Sequence, residues 1–175
     1  MLALKIVLGA LLALSFVLNA VGVFTNEWVT SKYPLTVDAE FQNMKSLGII
    51  PYRTEVTTMF PWFGVAEILM ILTFVLFLLT IPLYGLLSFK ARKDDLQPAI
   101  RAGFGALSAM SLTIFLFTII SVILIAVNLV GLNSILFKLS PESLSLGYSA
   151  WLCVVSSILM IGVFGASAFM SYSFY

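Results

Sequence analysis

The sequence is poor in charge, and it contains no histidine and a single cysteine. Charged residues make up 10% of its 175 residues and apolar residues 61%, whereas a soluble domain carries about 25% charged residues. Such a chain cannot cover a surface that faces water, so we expect an integral membrane protein. The net charge of +1 gives no reason to expect a nucleic acid as a partner.

These absences also argue against catalysis. Without histidine the chain lacks the commonest general base and the commonest metal ligand. One cysteine, Cys153, excludes an intramolecular disulfide and a redox pair of thiols. The apolar runs hold no paired carboxylates of the kind that a metal-dependent intramembrane enzyme needs. We therefore predict that the protein is not an enzyme and has no metal site and no cofactor.

The sequence does have four apolar runs long enough to cross a bilayer, which takes about 20 residues. They cover about residues 4–24, 62–89, 99–130 and 146–172. The first run could be a signal peptide, but its apolar core is long and it lacks a good cleavage site, so we expect a retained helix. The prediction is one membrane domain, 1–175, with the all-α fold of a four-helix transmembrane bundle.

The loops between the spans indicate the topology. The loop at about 90–98 lies in the basic stretch "KARKDDLQPAIR", whereas the loops at about 25–61 and 131–145 are of mixed charge. The positive-inside rule places the basic loop and both termini in the cytoplasm. The loop at 25–61 contains pieces rich in branched and aromatic residues, so we expect it to form a small extracellular β-sheet. The second outer loop could add one edge strand.

Three motifs lie at or just beyond the ends of the spans. Trp28 in "NEWVT" follows the first span, "RAGFGALSAM" opens the third and "LGYSAWLCVVSSIL" opens the fourth. With the loop layout they resemble the claudin superfamily, which includes claudins, peripheral-myelin-type proteins and tetraspan auxiliary subunits of channels and receptors. The resemblance covers nearly the whole chain.

The family's first outer loop contains two cysteines that bridge its strands, and this sequence has neither of them. The resemblance therefore implies a divergent member whose loop sheet is held by packing alone. A missing bridge typically forgoes about 2–4 kcal/mol of stability. For this reason we expect the loop to need a partner surface to become well ordered.

Polar residues inside the spans are the first candidates for function. Glu67 lies about five residues inside the second span, where an ionisable side chain suggests a function by default. Asn19 lies at a similar depth in the first span, and Asn128 and Ser149 lie nearer the surface. Three interpretations remain open: a polar cluster that joins the outer helix ends, a contact with a partner helix, and a cation or proton site.

Small residues are the second group of candidates. The third span begins with Gly103 and Gly105, and the fourth ends with Gly162 and Gly165. Small residues let helices approach closely in lipid. These glycines serve either packing inside the bundle or a lateral docking face for another membrane protein.

Two candidates belong to the first outer loop. A tryptophan at a helix exit is most often an anchor at the membrane interface, but the resemblance implies that Trp28 forms the packing core of the loop sheet. Arg53 is a candidate for contact with a protein partner.

Two functions are compatible with these features. The first is an auxiliary or regulatory subunit that docks against a larger membrane channel or receptor. The alternative is a cell–cell adhesion or barrier protein that assembles with itself in junctions of the plasma membrane. The sequence stops at Tyr175, just past the fourth span, so we expect no tail for a cytoplasmic scaffold. That expectation and the missing disulfide favour the auxiliary subunit, with an integral membrane protein, a second copy and the lipid bilayer as possible partners.

Overall fold

The computed structural model describes residues 2–31, 46–50, 57–58, 60–90, 97–136 and 144–173. Long helices dominate this part of the chain, and short strands lie between them. In chain order the elements are α1 (Leu2–Phe24), β1 (Val29–Ser31), β2 (Ser46–Leu47), α2 (Pro61–Lys90), α3 (Gln97–Leu136), β3 (Leu144–Leu146) and α4 (Tyr148–Ser173).

Each of the four helices contains a segment long and apolar enough to cross a membrane. The helices form a closed ring in which α1 packs against α2 and α4, and α3 packs against the same two helices. Packing is more extensive between α1 and α4 than between α1 and α2. The result is a four-helix bundle in chain order around the ring.

The apolar side chains divide between two buried clusters and an apolar outer surface. The cluster at the sheet end includes Trp28, Phe63 and Ile125, and the cluster farther along the bundle includes Phe77 and Phe104. Large apolar side chains also point outwards on every helix; examples are Ile6, Leu79, Val130 and Phe169. A helix that is apolar on all sides needs an apolar environment outside the bundle as well.

Serine hydroxyls connect neighbouring helices inside the bundle. Ser15 on α1 and Ser156 on α4 bond reciprocally: the Ser15 Oγ donates to the Ser156 carbonyl at 2.8 Å, and the Ser156 Oγ donates to the Ser15 carbonyl at 2.7 Å. The Ser121 Oγ on α3 donates to the Ala66 carbonyl on α2 at 3.3 Å. Such bonds contribute modestly to helix association in lipid, on average about 0.6 kcal/mol each.

The three strands form one antiparallel sheet in the order β2-β1-β3. Val29 of the central strand pairs with Leu47 on one side and with Leu146 on the other. The edge strand β3 comes from the second loop between helices that we expected to lie outside the membrane. The predicted fold class, a four-helix bundle with a small sheet, is confirmed.

Seven of the eight helix ends lie within two residues of the predicted span ends, and the end of α3 lies six residues beyond its predicted end. Helix α3 continues to Leu136, beyond the predicted span end at 130, because a helix need not stop where its apolar segment does. Helix α4 begins at Tyr148 rather than at 146, because Leu146 is hydrogen-bonded into β3. Helix α2 has 30 residues and is about 45 Å long, more than the bilayer's hydrocarbon core of about 30 Å.

Candidate functional site

The candidate site is the sheet together with the residues that seat it on the bundle. Trp28 is at its centre and is completely buried. Its Nε1–H donates to the Gly22 carbonyl of α1 at 2.7 Å. Its backbone N–H donates to the Leu47 carbonyl, and its own carbonyl accepts from the Gly147 N–H, both at 2.9 Å. One residue thus connects α1, β2 and the segment that leads into α4.

The end of α1 and the start of α4 are joined by a second set of bonds. The Thr25 N–H donates to the Val21 carbonyl at 3.1 Å, which continues the hydrogen-bonding pattern of α1 past its last residue. The hydroxyls of Thr25 and Ser149 lie 2.6 Å apart. The Ser149 N–H donates to the Glu27 carbonyl at 3.2 Å, and the Glu27 N–H donates to the Ser149 Oγ at 3.3 Å. These bonds satisfy a backbone N–H in the first turn of α4 that has no partner within the helix.

Two glycines make this close seating possible. A Cβ at Gly147 would overlap the Glu27 carbonyl oxygen, and a Cβ at Gly22 would overlap the Cys153 Sγ. Neither glycine stands in a recognisable spacing with other small residues, so their packing roles could not be predicted from the sequence. The only sequence signal is that Gly22 lies close to a helix end and Gly147 directly before a helix start.

Trp28 is buried, unlike two other aromatic residues at the same end of the bundle. Trp151 and Tyr148, at the same end of the bundle, are 59% and 49% exposed, as expected of residues in an interfacial belt. Trp28 instead packs in the buried cluster with Phe63 and Cys153. Trp28 therefore lies in the packed cluster beneath the sheet.

Asn19 and Glu67 are both buried, with exposed fractions of 0% and 1%. Among the described residues, neither polar atom of the Asn19 amide has a hydrogen-bond partner, and the Glu67 Oε2 has none. No hydrogen bond therefore joins these two residues. Asn128 donates to a carbonyl of its own helix, and Ser149 bonds to Thr25. Among the described residues, these four polar side chains therefore do not form one hydrogen-bonded cluster.

The two glycines of α3 face different helices. A Cβ at Gly103 would overlap the Leu87 side chain of α2. A Cβ at Gly105 would lie 3.6 Å from the Ser171 Oγ of α4, an ordinary contact distance. Gly103 therefore sits in close packing between α2 and α3, whereas Gly105 faces the boundary between α3 and α4.

The two glycines of α4 lie on its exposed side. A Cβ at Gly162 would lie 3.3 Å from the Leu11 Cδ1 of α1, and a Cβ at Gly165 would meet no described atom within 4 Å. Across α3 and α4 the predicted glycines therefore do not form one common docking face. Arg53 lies in the segment 51–56, outside the described residues.

The architecture is thus a ring of four apolar helices with a three-stranded sheet seated on a tryptophan just after the first helix. A family model described as "Tight junction protein, Claudin-like" matches residues 1–174. The chain belongs to this claudin-like family. No curated protein matches it. The predicted resemblance is confirmed, and the chain is a multi-pass membrane protein of a family that is generally non-enzymatic.

This claudin-like chain seats its sheet without a disulfide. Its one cysteine, Cys153, is buried and unbridged, and it packs against Gly22 beneath the sheet. The hydrogen bonds of Trp28 and the reciprocal bonds between Glu27 and Ser149 fix the described strands to the bundle instead. The described strands are therefore attached to the bundle by contacts within the chain.

Proposed function

We propose that this claudin-like protein is a non-enzymatic junction or barrier protein that assembles with copies of itself through its sheet. The observation that carries the proposal is the seating of the sheet by Trp28, which is bonded to α1, to β2 and to the segment before α4. A strand surface that is hydrogen-bonded to the bundle loses less conformational entropy on binding than an unattached loop does. The description of the family, a claudin-like tight junction protein, supports the same reading.

The proposed orientation puts the sheet outside the cell. The basic stretch "KARKDDLQPAIR" joins α2 and α3 at the opposite end of the bundle from the sheet. The positive-inside rule assigns that end to the cytoplasm. The sheet is then extracellular at the plasma membrane, where it can meet a second copy on the same cell or on a neighbouring cell.

A second candidate is an auxiliary subunit of a larger channel or receptor. It is favoured by the outer side of α4, where Gly162 and Gly165 are exposed and a Cβ at Gly165 meets no described atom within 4 Å. A partner helix could approach closely at this place. Such a subunit would act by contacting two states of its partner with different strength, since only a difference in affinity can shift gating.

One pair of variants separates the two functions. Ser145→Lys puts a charge on the exposed face of β3, and Gly165→Leu fills the open side of α4; neither site is tightly packed. The full chain would be expressed in cells that lack it. Enrichment at contacts between expressing cells would be imaged, and proteins co-purified in a mild detergent would be identified by mass spectrometry.

Self-assembly through the sheet predicts enrichment at contacts that Ser145→Lys abolishes and Gly165→Leu leaves intact. An auxiliary subunit predicts the reverse: a larger membrane protein that co-purifies at fixed stoichiometry and is lost in Gly165→Leu. Enrichment that Ser145→Lys leaves unchanged would contradict the proposed role of the sheet.

A further inference from the structure

A pocket of about 230 Å³ lies between α3 and α4, at the end of the bundle opposite the sheet. This volume is far more than the roughly 15 Å³ that one water requires. Its lining combines small residues with a cation and hydroxyl groups: Arg101, Gly105, Ser108, Ala168, Ser171 and Tyr172. None of these residues has a part in seating the sheet.

The pocket lies where hydrogen bonds join α3 and α4 on either side of a glycine along the helix axis. The glycine has no side chain to fill the space between these bonds. The Ser171 Oγ of α4 donates to the Arg101 carbonyl of α3 at 3.0 Å. Seven residues farther along α3, the Ser108 Oγ donates to the Phe164 carbonyl of α4 at 3.4 Å. Between these two contacts stands Gly105, which leaves the space open.

The position of the pocket matches the depth of lipid headgroups. Arg101 is the fifth residue of α3, and Tyr172 is the second-last residue of α4. Both therefore lie near the ends of the candidate membrane spans Pro98–Gly131 and Tyr148–Ser173. The Tyr172 side chain is 72% exposed, so the mouth of the pocket opens to the surroundings of the bundle.

The chemistry of the lining is that of a phosphate site beside an apolar slot. A guanidinium offers a planar fork of N–H donors that fits phosphate oxygens, and a phenol offers an O–H donor. Gly105 and Ala168 present carbon surface directly beside these groups. Basic pockets between transmembrane helices at the cytoplasmic side are suited to acidic lipid headgroups.

We propose that this pocket binds an anionic phospholipid. The phosphate lies against Arg101 and Tyr172, and the glycerol and first acyl carbons enter the slot beside Gly105 and Ala168. A partner helix is a poorer occupant than a lipid. With its side chains a helix is about 10 Å wide, which is too wide for the slot, and its apolar surface would lie against the charged Arg101.

The test measures lipid retention by the full chain in mild detergent with native mass spectrometry. The probes are dioleoylphosphatidylserine, dioleoylphosphatidylcholine with the same acyl chains, and inorganic phosphate as a lipid-free anion. Arg101→Gln removes the charge and Gly105→Leu fills the slot. Lys90→Gln is the matched control, since Lys90 is an exposed basic residue at the same end that does not line the pocket.

We expect the wild type to retain the serine lipid about fivefold better than the choline lipid. Both lipids present a phosphate to Arg101, but only the serine lipid carries a net negative charge, which one basic residue attracts by about this factor. Lys90→Gln should lose at most about fivefold, the general attraction of one basic residue to an anionic surface. Arg101→Gln should lose about fiftyfold, because it loses both this attraction and a charge-assisted hydrogen bond worth about tenfold. Gly105→Leu should release the serine lipid while its helical circular dichroism stays at the wild-type level.

Three results would overturn the proposal. They are equal retention of the two lipids, equal losses in Arg101→Gln and Lys90→Gln, and displacement of the serine lipid by millimolar inorganic phosphate. If Arg101→Gln does not fold, Gly105→Leu decides: a folded variant with wild-type retention refutes the pocket, and a folded variant without retention supports it.

Discussion

Replacing Trp28 with alanine should release the sheet from the bundle and leave the helices in place. The side chain is completely buried and donates a hydrogen bond to the Gly22 carbonyl at 2.7 Å. Removing a buried tryptophan costs about 3–5 kcal/mol through lost contacts and the cavity left behind. Trp28→Phe keeps most of the contact area but loses the N–H donor, so its cost should be about 1–3 kcal/mol. Trp151→Ala is the matched control at the same end of the bundle.

Hydrogen exchange in mild detergent, read by mass spectrometry, measures the effect locally. Peptides over 25–31 and 144–149 contain the N–H groups of Trp28, Gly147 and Ser149, which join the sheet to the bundle. Since about 1.4 kcal/mol corresponds to a factor of ten, Trp28→Ala should speed their exchange by between about a hundredfold and a few thousandfold. Peptides from the middle of α3 should keep their wild-type rates.

Two results would refute this reasoning. Wild-type exchange of 25–31 and 144–149 in Trp28→Ala would show that other contacts hold the sheet. An equal acceleration in Trp151→Ala, whose side chain is 59% exposed, would show that the effect belongs to any tryptophan at this end of the bundle.

Three further predictions test other parts of the structure. Gly147→Ala should destabilise the sheet by about 1–3 kcal/mol in a denaturant titration, because the new Cβ overlaps the Glu27 carbonyl. Gly85→Ala is the control and should be neutral or stabilising, because a Cβ there meets no described atom within 4 Å. Ser15→Ala and Ser156→Ala should each destabilise the bundle, and their double-mutant cycle should give a coupling of about 0.6–1.7 kcal/mol; additive effects would contradict the reciprocal bonds. Glu67→Leu should raise the free energy of unfolding by about 1–3 kcal/mol, because it removes a buried polar atom without a described partner. A loss of stability would instead show that Glu67 has a polar partner in the membrane.

The spans could be predicted from the sequence because four apolar runs exceed the length that a bilayer requires. The edge strand β3 could also be anticipated, since the second outer loop lies next to the first. The strand β2 could not be predicted: two residues, Ser46 and Leu47, are too few to show an alternating pattern. It is a strand because its backbone completes the pairing of β1 and accepts the Trp28 N–H.

The partners of the candidate residues could not be predicted, because they depend on how each helix is rotated in the ring. Gly103 and Gly105 are two residues apart and so cannot face the same neighbour; one packs on α2 and the other lines the pocket beside α4. The burial of Trp28 could not be predicted for a similar reason, since it depends on how the rest of the chain packs around this residue. The composition around a tryptophan at a helix exit does not show whether the chain folds back over it.

The order of strands in the sheet has a consequence for biosynthesis. The central strand β1 and Trp28 follow the first helix to be made, but β3, which pairs with β1 through Val29 and Leu146, comes from the last loop. The sheet can form only after α3 has crossed the membrane, because Leu144–Leu146 then lie on the same side as β1. If α3 were inserted the wrong way, Leu144–Leu146 would lie on the opposite side of the membrane from β1, and this pairing could not form. The sheet can therefore close only in a chain whose segment between β1 and β3 crosses the membrane an even number of times.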